Sequence, residues 1–109
     1  MGLPIDICRA ASYHQPMIAS FKDREAEYIF NQIASRRLPR DIHKRALNKL
    51  LMLNAAKDVK DLRNPPSNKL EALGGDRQGQ YSIRINDQYR ICFLWVDNSA
   101  HEVEIVDYH

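Results

Sequence analysis

Five residues near the C-terminal end of the sequence carry most of its chemical potential. Arg84 and Arg90 sit in the stretch SIRINDQYRICF, and the last three residues are Asp107, Tyr108 and His109. Arginine stabilises charge that develops on a phosphate during transfer, and an imidazole of ordinary pKa, about 6.5, exchanges protons at neutral pH. An arginine pair beside a phenol, an imidazole and a carboxylate therefore suits phosphodiester cleavage. The condition is that the fold brings them to one place.

Strand alternation supplies part of that condition. Tyr81, Ile83 and Ile85 alternate with Ser82 and Arg84, and Ile91, Phe93 and Trp95 alternate with Arg90 and Cys92. Side chains on a strand repeat every two residues, so only a register pairing odd with odd keeps both apolar sets on the core face. That register puts Arg84 and Arg90 together on the other face. Like charges directly opposite destabilise a sheet by roughly a few tenths of a kcal/mol or more, which an external anion would offset. The alternative is that both simply reach solvent on an uncovered face. If Val103 and Ile105 face the core, Tyr108 falls on the arginine face, while Asp107 and His109, at a strand end, can point either way. A chain stopping at this triplet is expected because the strand delivers proton-handling groups there. Arg77, in the preceding turn, belongs to the same rim.

The elements that must position these residues follow from the rest of the pattern. Residues 18–21 suit a first strand, and Asp23 can cap a helix with Ala26, Ile29, Phe30 and Ile33 on one face. Leu38-Pro39 breaks that helix, and Pro39 opens a second one carrying Ile42, Ala46, Leu50 and Leu53. Val59 and Leu62 predict one more turn before Asn64-Pro65-Pro66-Ser67-Asn68 ends all helix. Strands are predicted near 69–73 and over 81–85, 89–96 and 100–107, with a turn at 74–79. The result is an α+β, two-layer design: an N-terminal strand and a helical hairpin packed on an antiparallel sheet. One domain spans residues 17–109, and residues 1–16 read as a flexible N-terminal extension.

Composition narrows the function classes. Sixteen Lys and Arg against fourteen Asp and Glu give a net charge of +2, too small to imply nucleic-acid binding by itself. The charge is unevenly placed: Arg36, Arg37, Arg40, Lys44 and Arg45 crowd residues 35–45 against the single acid Asp41. Such a run either meets a nucleic-acid backbone or solvates a helix. Two cysteines are too few for a disulfide framework, no apolar run approaches the ~20 residues of a membrane span, and the N-terminus makes a poor signal peptide. A reduced, cytoplasmic protein without membrane contact is expected. The histidines, His14, His43, His101 and His109, lack paired ligand spacing, and Gly74-Gly75 precedes a strand rather than a helix, so neither metal nor cofactor is expected.

The stretch NPPSNKLEALGGDRQGQYSIRINDQYRICFLW, followed by VEIVDYH, resembles the RelE/ParE superfamily of bacterial type II toxins, in its HigB-like (GraT-like) branch. The resemblance covers residues 17–109, with the GDR-x-G turn, SIRINDQYRICF and the terminal DYH in the expected order. It implies a RelE-like fold and a toxin that enters the ribosomal A site and cleaves mRNA by metal-free attack of a ribose 2′-OH on the adjacent phosphate. On that pattern Arg90 stabilises phosphate charge, Asp107 and His109 handle protons or orient the attacking group, and Tyr108 holds or stacks the substrate. Arg84 and Gln88 contact the nucleotide or its backbone, and Arg77, Arg36, Arg37 and Arg40 suit RNA more generally. Some HigB relatives carry a His and a Lys where this chain has Glu71 and Gly74, so Glu71 is either a substitute general base or a solvated carboxylate. The resemblance also implies a helix-turn-helix, HigA-like antitoxin as partner, with operator DNA reached only through it. Two rival readings share the fold: a ParE-like gyrase inhibitor, and an inactive toxin that only binds its antitoxin.

Overall fold

The structure is a computed structural model that describes residues 18–107. The expected extension over residues 1–16 and the positions of Tyr108 and His109 lie outside the described residues. Helix α1 (Arg24–Phe30) and helix α2 (His43–Ala55) form one layer. The other is an antiparallel sheet of β1 (Glu71–Ala72), β2 (Gln80–Arg84), β3 (Tyr89–Val96) and β4 (Ser99–Asp107), hydrogen-bonded in chain order. Among the described residues no helix is long and apolar enough to cross a membrane.

Asp23 starts α1 and ties it to the sheet at once. One carboxylate oxygen accepts from the Glu25 amide at 2.9 Å, satisfying a donor the helix start leaves open, and the other accepts from the Ile105 amide of β4 at 3.3 Å. The predicted continuation of this helix to Ile33 does not occur. Gln32 takes a left-handed backbone (φ 62°), its amide bonds the Ile29 carbonyl, and the Ile33 amide bonds the Tyr28 carbonyl. That pair of bonds is a Schellman ending, and it leaves Ile33 54% exposed. A short 3₁₀ turn (Arg40–Ile42) leads into α2, which buries Ala46, Leu50 and Leu53. Another 3₁₀ turn (Val59–Arg63), closed by an Asp58–Asp61 capping box, delivers buried Leu62.

The core lies between the layers. The register pairs Tyr81 with Phe93 and Ile83 with Ile91, so the odd positions of β2 and β3 meet the helices as the alternation requires. The turn joining β3 to β4 has Asp97 and Asn98 both at positive φ, the geometry a two-residue hairpin needs and these residue types tolerate. On β4 the alternation is interrupted. Cys92 pairs with Glu104 and Leu94 with His101, so Phe93 faces two residues, Glu102 and Val103, in a β-bulge with Glu102 at φ 53°. The predicted first strand is reduced to two parallel bridges, Ile18 to Ala100 and Phe21 to Val103, which straddle that bulge. The Ser20 hydroxyl accepts the Glu102 amide at 2.9 Å, so the extra residue's donor is satisfied.

Candidate active site

Two cross-strand rows build the sheet face turned away from the helices. In one, Glu71, Ser82, Cys92 and Glu104 succeed each other from β1 to β4; in the next stand Arg84, Arg90 and Val106. Arg84 and Arg90 are direct partners, as the alternation predicts.

Arg90 is the centre of this face. Its side chain is 11% exposed. Nε donates to Ser82 Oγ at 2.9 Å, Nη2 donates to the Lys69 carbonyl at 2.7 Å, and the same nitrogen lies 3.5 Å from Glu71 Oε1. A buried guanidinium is costly unless it is both hydrogen-bonded and charge-compensated, and these contacts supply both. Ser82 is itself fully buried, so its hydroxyl fixes the direction of the arginine rather than meeting water. Arg84 pairs with Asp87, an almost fully exposed carboxylate three residues along. Each arginine thus has a carboxylate of the same chain beside it. These carboxylates offset part of the like-charge repulsion that an external anion would also relieve.

The face is also less open than the alternation implies. Ser82 and Cys92 have no exposure, and Arg90 bonds Ser82; beside them the 3₁₀ turn Gly75–Arg77 carries Arg77 to Glu104 (2.9 Å) and Gln80 (3.0 Å), and Lys22 stands 3.7 Å from the same Glu104. Burial pushes the Cys92 thiol pKa up; Arg77 opposes that, Glu104 adds to it, and Arg90 and Lys22 oppose it further. Arg77 therefore braces the neighbouring row.

Asp107 pairs with Tyr89, not with the arginine row, and its Oδ2 accepts from Gln88 Nε2 at 3.1 Å. Gln88 and Asp107 accordingly form a polar pair at the exposed end of β4. Arg36, Arg37 and Arg40 lie exposed in the connection between α1 and α2 and take no part in this cluster. The structure thus brings Arg90, Arg84 and Glu71 together, sets Gln88 with Asp107 at the strand end, and leaves the basic run in the helical layer. The sequence reading missed two of Arg90's partners, Ser82 and the Lys69 carbonyl. Alternation already put Ser82 on the arginine face; the backbone acceptor at Lys69, held at φ 45°, has no signal in residue type.

A family model described as the RelE-like toxin of type II toxin-antitoxin system HigB matches residues 19–109. The chain belongs to this HigB-like toxin family. Its HigB relatives include Toxin HigB-1 of Vibrio cholerae serotype O1 (strain ATCC 39315 / El Tor Inaba N16961), 42% identical over 85 residues, which are 77% of this chain and 90% of that protein. Endoribonuclease HigB of Proteus vulgaris is 30% identical over 93 residues, 85% of this chain and the whole of that one. Among solved structures, YoeB in the heterotetrameric YoeB–YefM toxin–antitoxin complex of Staphylococcus aureus has a TM-score of 0.50 at 22% identity, covering 84% of this chain and 97% of that one. The YoeB dimer of the same organism gives 0.50 at 22%, with 88% and 99% covered. Likeness at that identity speaks for the fold alone: the HigB-like chain has the RelE-like α+β fold.

Proposed function

We propose that this chain is a ribosome-dependent endoribonuclease that cuts mRNA in the A site and so inhibits translation and growth. The observation that carries the reading is Arg90: a guanidinium held nearly out of water by Ser82 and the Lys69 carbonyl, beside a second arginine, in a chain whose family members include an endoribonuclease. Preorganised donors of this kind stabilise charge on a phosphate in flight without reorganising when the reaction occurs. The attacking group is the substrate's own 2′-OH, which closes on the adjacent phosphorus and expels the 5′ oxygen of the next nucleotide, leaving a cyclic phosphate. No metal is needed to generate that nucleophile. Asp107 and His109 handle the protons, Tyr108 stacks on the nucleotide, and Arg84 and Gln88 contact its backbone.

A helix-turn-helix, HigA-like antitoxin is the proposed partner that restrains the toxin, by analogy with the toxin–antitoxin complex in which a YoeB neighbour is found. Operator DNA is reached through that antitoxin.

The test is to map new mRNA 5′ ends in the presence and absence of translating ribosomes. Cuts should appear only with ribosomes. They should vanish in Arg90→Ala and in a chain lacking Tyr108 and His109, each shown to be folded by a cooperative melt. Removing one charge-stabilising donor typically costs about 10²–10³ in rate. Cleavage by Arg90→Ala at the parent rate overturns the assignment, and growth arrest with intact mRNA and inhibited gyrase makes the chain a ParE-like inhibitor.

A further inference from the structure

A second basic site adjoins the arginine row and shares Arg84 with it, while its other members take no part in the chemistry above. It is a cleft of about 280 Å³ between α2, the 3₁₀ turn Pro66–Asn68 and the end of β2, lined by Arg45, Asn48, Lys49, Ser67, Arg84 and Asn86 among others. Three cations contribute to its wall and no carboxylate does.

Lys49 is the unusual member. The residue is 9% exposed, yet among the described residues its ammonium donates only to the neutral Asn68 Oδ1, at 2.5 Å, although it carries three donors. Burying a charge without a counter-charge is expensive, and a single amide oxygen repays only part of it. Burial, with Arg45 adding to it, holds the Lys49 pKa below the ordinary lysine value, as expected of a cation short of an anion. Arg45 is exposed and makes no ion pair among the described residues. Among the described residues Arg84 has only its surface pair with the exposed Asp87, an interaction of the kind that exchanges readily. Asn48, Ser67 and Asn86 add neutral polar groups to the same wall.

We propose that this cleft binds a phosphate group of single-stranded RNA, adjacent to the nucleotide held over Arg90. The proposal rests on the RNA-cleavage reading for the identity of the strand. Arg84 is the link, because it lines the cleft and is also the direct cross-strand partner of Arg90. An RNA strand crossing the arginine row therefore brings a neighbouring phosphate to the cleft. The volume lies just below the usual range for pockets that enclose drug-sized ligands, which fits a phosphate with part of its sugar.

The experiment uses the full chain and follows backbone amide chemical shifts during titration with sodium phosphate, adenosine 5′-monophosphate and a 2′-O-methyl RNA hexamer. The hexamer cannot be cut, so binding is read independently of cleavage. The hexamer should shift the amides of Asn48, Ser67 and Asn86 and bind at least about tenfold more tightly than either small anion. Arg45→Gln and Lys49→Met should each weaken it by about tenfold, the loss of one hydrogen bond to a charged group. Arg45→Gln, on an exposed residue, decides the matter alone if Lys49→Met fails to melt cooperatively. The proposal is overturned if those three amides stay still, if Arg45→Gln binds like the parent, or if phosphate or the mononucleotide binds as tightly as the hexamer, which would make this a small-anion site. A chain that binds the hexamer in the cleft but leaves ribosomal mRNA intact refutes the cleavage reading and keeps the cleft; the converse result refutes only the cleft.

Discussion

Glu71 offers the sharpest separation between two roles, and Glu71→Gln is the change that makes it. Its Oε1 stands 3.5 Å from Arg90 Nη2 and its side chain is 51% exposed, so the pair is a half-solvated ion pair. Such pairs contribute about 0–1 kcal/mol, which caps both the stability lost on neutralising Glu71 and the attraction released for a phosphate at Arg90. At RT of about 0.6 kcal/mol, that ceiling corresponds to a rate gain of about fivefold. A general base is worth far more: its removal costs about 10²–10⁴. The geometry favours the counter-ion role. We therefore expect Glu71→Gln to melt within a few degrees of the parent and to cut at between one and about five times the parent rate. The assay is single-turnover cleavage of end-labelled mRNA on programmed ribosomes, alongside a thermal melt. A fall of a hundredfold or more with an unchanged melt would show that Glu71 moves the proton, and the counter-ion argument would be wrong.

Other expectations concern the scaffold and the charge. Asn68 is fully buried, accepting from Lys49 and donating to the Leu62 and Asn64 carbonyls, so Asn68→Ala should cost at least about 3 kcal/mol and lower Tm by more than about 10 °C in a calorimetric scan. The Cys92 thiol, its pKa raised by burial above the ordinary 9.0, keeps its proton in the folded chain where the unfolded chain gives it up. Its stabilising contribution is thus full below about pH 9 and lost as pH rises from there; urea melts at pH 8 and pH 10 should show a smaller alkaline loss in Cys92→Ala than in the parent. Replacing Arg36, Arg37 and Arg40 with Gln should weaken ribosome association and flatten its salt dependence, whereas identical binding across a salt titration would return that run to a solvated loop.

Much of the sheet was legible because alternation is a direct imprint of which face is buried. The strand over 89–96 and the Arg84–Arg90 pairing both follow from it. What the pattern could not carry was set by single backbone conformations or by contacts distant in sequence. Gln32 ends α1 three residues early in a left-handed conformation that its residue type does not announce. The brace on the Glu71–Glu104 row depends on Arg77 meeting Glu104, twenty-seven positions away. Glu71 reaches Arg90 because two-residue β1 pairs it with Ser82, and two residues are too few for alternation to fix a register.

The bulge on β4 has a consequence for how this strand tolerates change in length. Ala100 and Val103 both face the core, so Glu102 is the surplus residue between two stretches that are otherwise in step. Deleting Glu102 would leave each later side chain on the face it now occupies. Deleting any residue from 104 to 106 would instead turn everything beyond it over, sending Asp107 to the opposite face. What the loss of Glu102 would remove is its amide's bond to Ser20, and with it part of the hold on the segment leading into α1. The strand can therefore drop one residue without reversing the outlook of its far end, but only at the point where it is fastened to the start of the fold.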